Sequence, residues 1–152
     1  LETEEDLEKH IEEIILHSVL QKTRVVEEDE FDTGKRQVLN FGHTIGHAVE
    51  RYFHYSTFTH GEGVAIGMSL LTEQTEKMGL TEKGTASRLI RVLHKLSLPT
   101  SIGVSAEDLI PQIMHDKKRR GKKITLVVLK KIGEAELLTI PTDELSRYIV
   151  TE

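Results

Sequence analysis

The sequence predicts a mainly α-helical domain that closes with a short β-hairpin. Three observations carry that prediction. A length of 152 residues suits one domain of ordinary size, able to bury a core without help from disulfides or a structural metal. Aromatic residues are only 5% of the chain and Trp is absent, so the core falls to Leu, Ile and Val. Those residues recur at helical spacing over most of the chain, except in one late β-branched run.

Taken in order, apolar periodicity predicts helices over 4–28, 36–54, 60–78, 82–96, 105–118 and 142–150. Ile124, Leu126, Val127, Val128 and Leu129 instead read as a strand, which Gly133 interrupts before Ala135–Ile140 returns as its partner. No repeat, linker or low-complexity tract divides the chain, and Pro99, Pro111 and Pro141 are too scattered to mark a boundary, so residues 1–152 read as one domain.

Composition removes several classes of function. The absence of Cys excludes a disulfide scaffold, a thiolate metal site and a cysteine nucleophile, and suits an intracellular protein. A net charge of −5 has the wrong sign for a domain whose whole surface grips nucleic acid. No apolar run is long enough to span a membrane, and the acidic start Leu1–Asp6 is no signal peptide. A chain that begins without Met is expected to have been cut from something longer.

On the first predicted helix, Leu7, Ile11, Ile14, Ile15, Val25 and Val26 fall on one arc and Lys22 projects from the middle of it. Lys22 is therefore expected to point inward, either snorkelling to solvent at the edge or presenting its ammonium to an anionic ligand over a polar cavity. The second predicted helix has two faces. Val38, Phe41, Ile45, Ala48, Val49 and Tyr52 make one, and Arg36, Asn40, His43 and His47 the other. In a chain that is 30% charged, an ordinary solvated face would carry Glu and Lys; Arg, Asn and two His suit a site. Histidines at i and i+4 can share a metal ion, or one can ligate while the other moves a proton. Gly42 and Gly46 each cost a helix about 1 kcal/mol relative to Ala, and are best tolerated where something approaches the backbone closely.

The segment Thr59–Met68, THGEGVAIGM, carries the third signal. Thr59 and Glu62 have the spacing of a capping box, which starts a helix with His60 in its first turn. Gly63 and Gly67 lie four apart on one side of that helix and imply a close neighbour.

The ordered set RxxxNxGHxxGH, then HGEGVAIGM, SAEDL, DKK, LVVL and IGEAEL resembles the C-terminal domain of the 3-dehydroquinate synthase family of sugar-phosphate cyclases. The resemblance covers nearly the whole chain. It implies that the chain is the metal- and substrate-binding half of a two-domain enzyme, with an NAD-binding N-terminal domain absent here and Zn²⁺, or Co²⁺ in its place, between the halves. His43 and His60 match two zinc ligands; the third, a Glu, belongs to a segment before residue 1, so this chain by itself would hold no metal tightly. Lys22, Arg36, Asn40 and His47 match residues that bind the carboxylate, hydroxyl and phosphate groups of a sugar-acid phosphate. His47, Lys22 and Arg36 are the catalytic candidates, with His47 best suited to proton traffic near the phosphate. Lys117, with Lys118 as its alternative, looks like a further phosphate contact. Asp32 matches an acidic position without an assigned role, and Gly63 stands where the family more often has Ala.

The implied reaction converts 3-deoxy-D-arabino-heptulosonate 7-phosphate to 3-dehydroquinate and phosphate in aromatic amino acid biosynthesis, in a cytoplasmic enzyme that is a homodimer when complete. Two rival readings remain. Metal-dependent alcohol and glycerol dehydrogenases also carry a His-x-x-x-His and a later His-Gly, but lack the phosphate-binding set; other sugar-phosphate cyclases share it. A nucleic-acid-binding module is suggested only by the six basic residues between Lys117 and Lys123, of which Arg119–Lys123 read better as a solvated loop.

Overall fold

In a computed structural model, residues 4–29, 34–117 and 122–149 are described. Two units make up the chain, Leu1–Leu39 and Asn40–Glu152. The first unit is built on α1 (Glu4–Glu28). Behind it, the Asp29 carboxylate accepts hydrogen bonds from the Gly34 and Arg36 amides at 2.7 and 3.0 Å. These bonds satisfy orphan donors at the start of a 3₁₀ helix, Lys35–Asn40, and so fix the backbone of Arg36. The inward orientation expected of Lys22 is not found: Lys22 is exposed, as are Ile11 and Ile15 on the same predicted arc, while Ile14, Val25 and Val26 are half-buried. An apolar stripe is buried only against a partner element, and among the described residues of its own unit α1 is followed only by the short 3₁₀ helix. The Leu7 side chain lies outside the described residues.

The second unit contains α2 (His43–Tyr52), α3 (His60–Lys77), α4 (Thr85–Lys95), a 3₁₀ turn Ala106–Leu109 leading into α5 (Ile110–Lys117), the strands β1 (Lys123–Lys131) and β2 (Glu134–Pro141), and a last 3₁₀ helix Thr142–Tyr148. Its core joins Ile45 and Val49 of α2, Ile66 and Leu70 of α3, Leu109 and Ile113, Ile124, Leu126 and Val128 of β1, and Leu145 and Ile149. Mainly helical architecture with a C-terminal hairpin therefore holds. β1 and β2 pair antiparallel, from Lys123 opposite Pro141 to Lys131 opposite Glu134, with Gly133 at φ 86° in the turn where a side chain would be strained. A buried polar chain ties the hairpin to α3: the Thr75 and Thr81 hydroxyls lie 2.6 Å apart, and Thr81 donates to the Leu129 carbonyl at 2.6 Å.

Three helix boundaries differ from the sequence expectation. The helix expected over 36–54 is broken, because Gly42 takes φ 79° and ends the 3₁₀ segment before α2 begins at His43. Val38, expected in its buried face, is only half-buried. The helix expected over 105–118 starts as 3₁₀, since Pro111 has no N–H to bond the carbonyl four residues back and is accommodated in the first turn of α5. The segment 142–150 is 3₁₀ as well, and the three-residue period sets Leu145 and Tyr148 on one buried side.

The contact that places the site is between α2 and α3. A Cβ built on Gly67 would overlap the Gly42 carbonyl oxygen and stand 2.9 Å from the Gly46 amide nitrogen. One built on Gly46 would stand 2.9 Å from the Val64 nitrogen. The two backbones thus touch along a seam of glycines, and only residues without a side chain permit it.

Gly67→Ala is expected to destabilise the protein by about 3 kcal/mol, because backbone cannot move aside as a rotamer can. The corresponding fall in thermal midpoint is roughly 10 °C. Gly61→Ala, in the same helix with nothing within 4 Å of its built Cβ, is expected to be neutral or to stabilise by up to about 1 kcal/mol. Urea or thermal unfolding of the two variants checks the contrast.

Candidate active site and metal centre

The glycine seam brings two helix N-termini side by side. His43 is the first residue of α2, His47 follows one turn later, and His60 is the first residue of α3. The expected capping box is present: the Thr59 hydroxyl accepts from the Glu62 amide, and the Glu62 carboxylate accepts from the Thr59 amide at 2.7 Å. Hydrogen bonds from the Thr59 amide and hydroxyl to that carboxylate hold the Glu62 carboxyl below its ordinary range, and the box sets the point at which α3, and with it His60, begins.

Ring centroids of His43 and His60 are 5.1 Å apart, and each is 5.6 Å from that of His47. Two imidazoles bound to one tetrahedral ion, with Zn–N about 2.0 to 2.1 Å, have centroids roughly 5 Å apart. The hydrogen bonds add direction. His43 Nδ1 lies 3.2 Å from the Phe41 carbonyl oxygen, which can only accept, so Nδ1 carries the proton and the Nε2 lone pair is free. His60 Nδ1 lies 3.2 Å from Oε1 of Glu50, a carboxylate on α2, and a proton on that nitrogen would leave its Nε2 free. A donor to carbonyl or carboxylate on one nitrogen and an open lone pair on the other is how metal-binding histidines are ordinarily held. Nitrogen and oxygen donors of this kind fit Zn²⁺ or Co²⁺.

Among the described residues, the one group of three or more whose donor atoms all lie within 4.8 Å of each other is His47, Glu50 and His60. His43 is outside that group by donor distance although its ring is beside that of His60. Sequence reasoning closed the polar stripe of α2 at His47. It ran one turn short: Glu50, seven residues beyond His43, continues the same stripe and is buried. A further residue not anticipated is Arg51, which donates to the Gln112 carbonyl at 2.8 Å and ties α2 to α5.

The remaining candidates are placed as follows. Asn40 is exposed at the end of its 3₁₀ helix, two residues before Gly42. Lys22 and Arg36 belong to the first unit, Lys22 exposed and Arg36 half-buried. Lys117 is the last residue of α5, and its side chain, like Lys118 and Asp32, lies outside the described residues. No described helix is long and apolar enough to cross a membrane.

In fold, the chain matches two synthases of known structure. A 2-deoxy-scyllo-inosose synthase complexed with carbaglucose-6-phosphate, NAD⁺ and Co²⁺ superposes with a TM-score of 0.75 at 23% identity, over 94% of this chain and 43% of that one. A 2-epi-5-epi-valiolone synthase from Streptomyces hygroscopicus with NAD⁺ and Zn²⁺ bound gives 0.71 at 20% identity, over 88% and 37%. Sequence narrows the class: the chain belongs to the 3-dehydroquinate synthase C-terminal family, whose family model matches residues 2–119. The 3-dehydroquinate synthase of Enterococcus faecalis is 47% identical across 100% of this chain and 43% of its own length. That of Clostridium acetobutylicum is 46% identical across 90% and 39%. The chain thus spans about two fifths of the relatives it matches.

Burial lowers the pKa of His47 below its ordinary 6.5, against the pull of Glu50, and the neighbouring His43, His60 and Arg51 lower it further. The sign follows from linkage. The unfolded chain takes up this proton at higher pH than the folded one, so the contribution to stability is full above about 6.5 and is lost as pH falls through the lowered folded value. An NMR titration of His47 is expected to give a midpoint below 6.5, and Glu50→Gln to lower it again by removing the opposing charge.

Proposed function

We propose that this chain is the metal- and substrate-binding half of a 3-dehydroquinate synthase, converting 3-deoxy-D-arabino-heptulosonate 7-phosphate to 3-dehydroquinate and phosphate. The observation that carries the reading is the grouping of His43, His47 and His60, with ring centroids 5.1 to 5.6 Å apart and the Nε2 lone pair of His43 free, in a chain of this family. His43 and His60 would hold Zn²⁺ or Co²⁺, completed by a carboxylate from outside this chain. When bound, the metal supplies Lewis-acid polarisation of the substrate hydroxyls, and NAD, held by an N-terminal domain, supplies a hydride acceptor that is regenerated.

The chain's own residues do the holding and the proton transfer. Arg36 offers a planar fork that suits a carboxylate or phosphate, and Lys22 and Lys117 offer ammonium point charges to the same anions. Asn40 positions a substrate hydroxyl. His47, with a lowered pKa, is unprotonated near neutral pH and would relay a proton near the substrate's phosphate. The phosphate-bearing substrate is favoured over those of the alcohol and glycerol dehydrogenases by this basic set. A cyclase acting on a different sugar phosphate shares the fold, but 46 to 47% identity to 3-dehydroquinate synthases, against 20 to 23% to the other cyclases, favours the heptulosonate acid. The same reading makes the whole protein a cytoplasmic homodimer.

In the whole protein, His43→Ala is expected to remove metal and activity together. Arg36→Lys should keep the metal and raise KM roughly 10- to 100-fold, the worth of a charged bidentate contact reduced to a single one. Elemental analysis beside steady-state kinetics on the heptulosonate phosphate checks both; full activity in Arg36→Lys would remove Arg36 from the site. Without the third ligand, zinc titrated calorimetrically into the 152-residue chain should bind weakly and be stripped by a mild chelator.

A further inference from the structure

Glu50 is the one buried carboxylate among the described residues, with 8% of its surface exposed. Burying a carboxylate is costly unless it is hydrogen-bonded, so this one is expected to have a task that a neutral residue would not perform as well. Its position states the task. Glu50 is held on α2, seven residues after His43 and three after His47, and its Oε1 reaches across to Nδ1 of His60 on α3 at 3.2 Å. It is thus the side chain through which α2 grips the histidine of the other helix. His60 itself is more than half exposed at the helix start, and the His43 and His47 rings beside it do not by themselves choose between its two tautomers.

We propose that Glu50 is the positioning residue of the histidine cluster: its carboxylate accepts the Nδ1 proton of His60, fixes that tautomer, and presents Nε2 as the nitrogen that binds metal. The proposal rests on the reading of His43 and His60 as metal ligands and adds the group that orients one of them, as Phe41 O does for the other. The competing role is direct ligation, since Glu50 shares a 4.8 Å donor group with His47 and His60. Direct ligation would require the metal to lie between Glu50 and His60 Nδ1, leaving the proton on Nε2. The two roles therefore demand opposite tautomers.

The test uses the whole protein labelled with ¹⁵N-histidine, as wild type, Glu50→Gln and Glu50→Ala, with folding checked by circular dichroism. In the metal-free wild type, His60 is expected as the Nδ1–H tautomer. Glu50→Gln, whose amide oxygen still accepts, should keep that tautomer, and Glu50→Ala should lose it. Zinc affinity, measured by competition with a chromophoric chelator, should fall roughly 10- to 100-fold in Glu50→Ala and much less in Glu50→Gln. An Nε2–H tautomer in the wild type, or equal zinc loss in Gln and Ala variants, would overturn the positioning role in favour of ligation. Zinc affinity unchanged within about twofold in Glu50→Ala would also overturn it. If His43→Ala leaves zinc binding unaltered, it is the metal reading that fails, and the His60 tautomer still decides whether Glu50 orients that ring. Should Glu50→Ala not fold, the wild-type tautomer and the isosteric Gln variant suffice.

Discussion

Everything at the site depends on how closely the backbones of α2 and α3 approach. With a Cβ on Gly67 meeting the Gly42 carbonyl, the two helices could not lie where they do, and the histidines that begin them would stand further apart. Three further features use the same approach. Gly42 in the left-handed region lets the chain turn out of the 3₁₀ segment so that α2 starts at His43. The capping box sets the start of α3 at His60. Glu50 then bridges the helices through His60 at 3.2 Å. The unfavourable helix propensity of these glycines is a cost that packing repays at this place in the chain.

The rest of the second unit is a platform for that pair. Ile45, Ala48 and Val49 on α2 and Ile66, Leu70 and Leu71 on α3 enter one aliphatic core with the hairpin and the last 3₁₀ helix. Polar side chains inside it are satisfied locally: Ser69 donates to the carbonyl four residues back, and the Thr75 hydroxyl donates to that of Thr81, which donates to the Leu129 carbonyl. Arg51 extends the hold of α2 to α5, at whose end Lys117 lies. A rigid support of this kind is what a site needs if histidines are to be kept at ligating distance before a metal arrives.

The parts legible in the sequence were those written in local pattern. The hairpin showed in the run Ile124–Leu129 and Gly133, and α3 in its Thr59–Glu62 box. The pairing of Gly63 and Gly67 announced a close neighbour, and the glycines of α2 supplied it. What escaped depended on context. Gly42 was counted as a costly residue inside a continuous helix, because composition does not separate an interior glycine from one that ends a helix with φ 79°. Lys22 was placed on a buried arc, yet burial of a stripe depends on a partner element that periodicity does not name. Glu50 is absent from the polar stripe read as Arg36, Asn40, His43 and His47, although its spacing from His43 puts it on the same face. The three-residue period of 142–148 was masked by its likeness to a helical one over so short a span.

On the proposed reading of His43 and His60 as metal ligands, the glycine seam sets their separation, and the zinc affinity of Gly67→Ala, measured in the whole protein at a temperature where the variant remains folded, tests that dependence. Gly61→Ala is the control, lying beside His60 but with no backbone neighbour. Gly67→Ala should lose zinc affinity by about tenfold or more while Gly61→Ala keeps it, as expected when ligands are displaced without being removed. Unchanged zinc affinity in folded Gly67→Ala would contradict it, and would mean that the histidines find their metal without the close approach of the two helices.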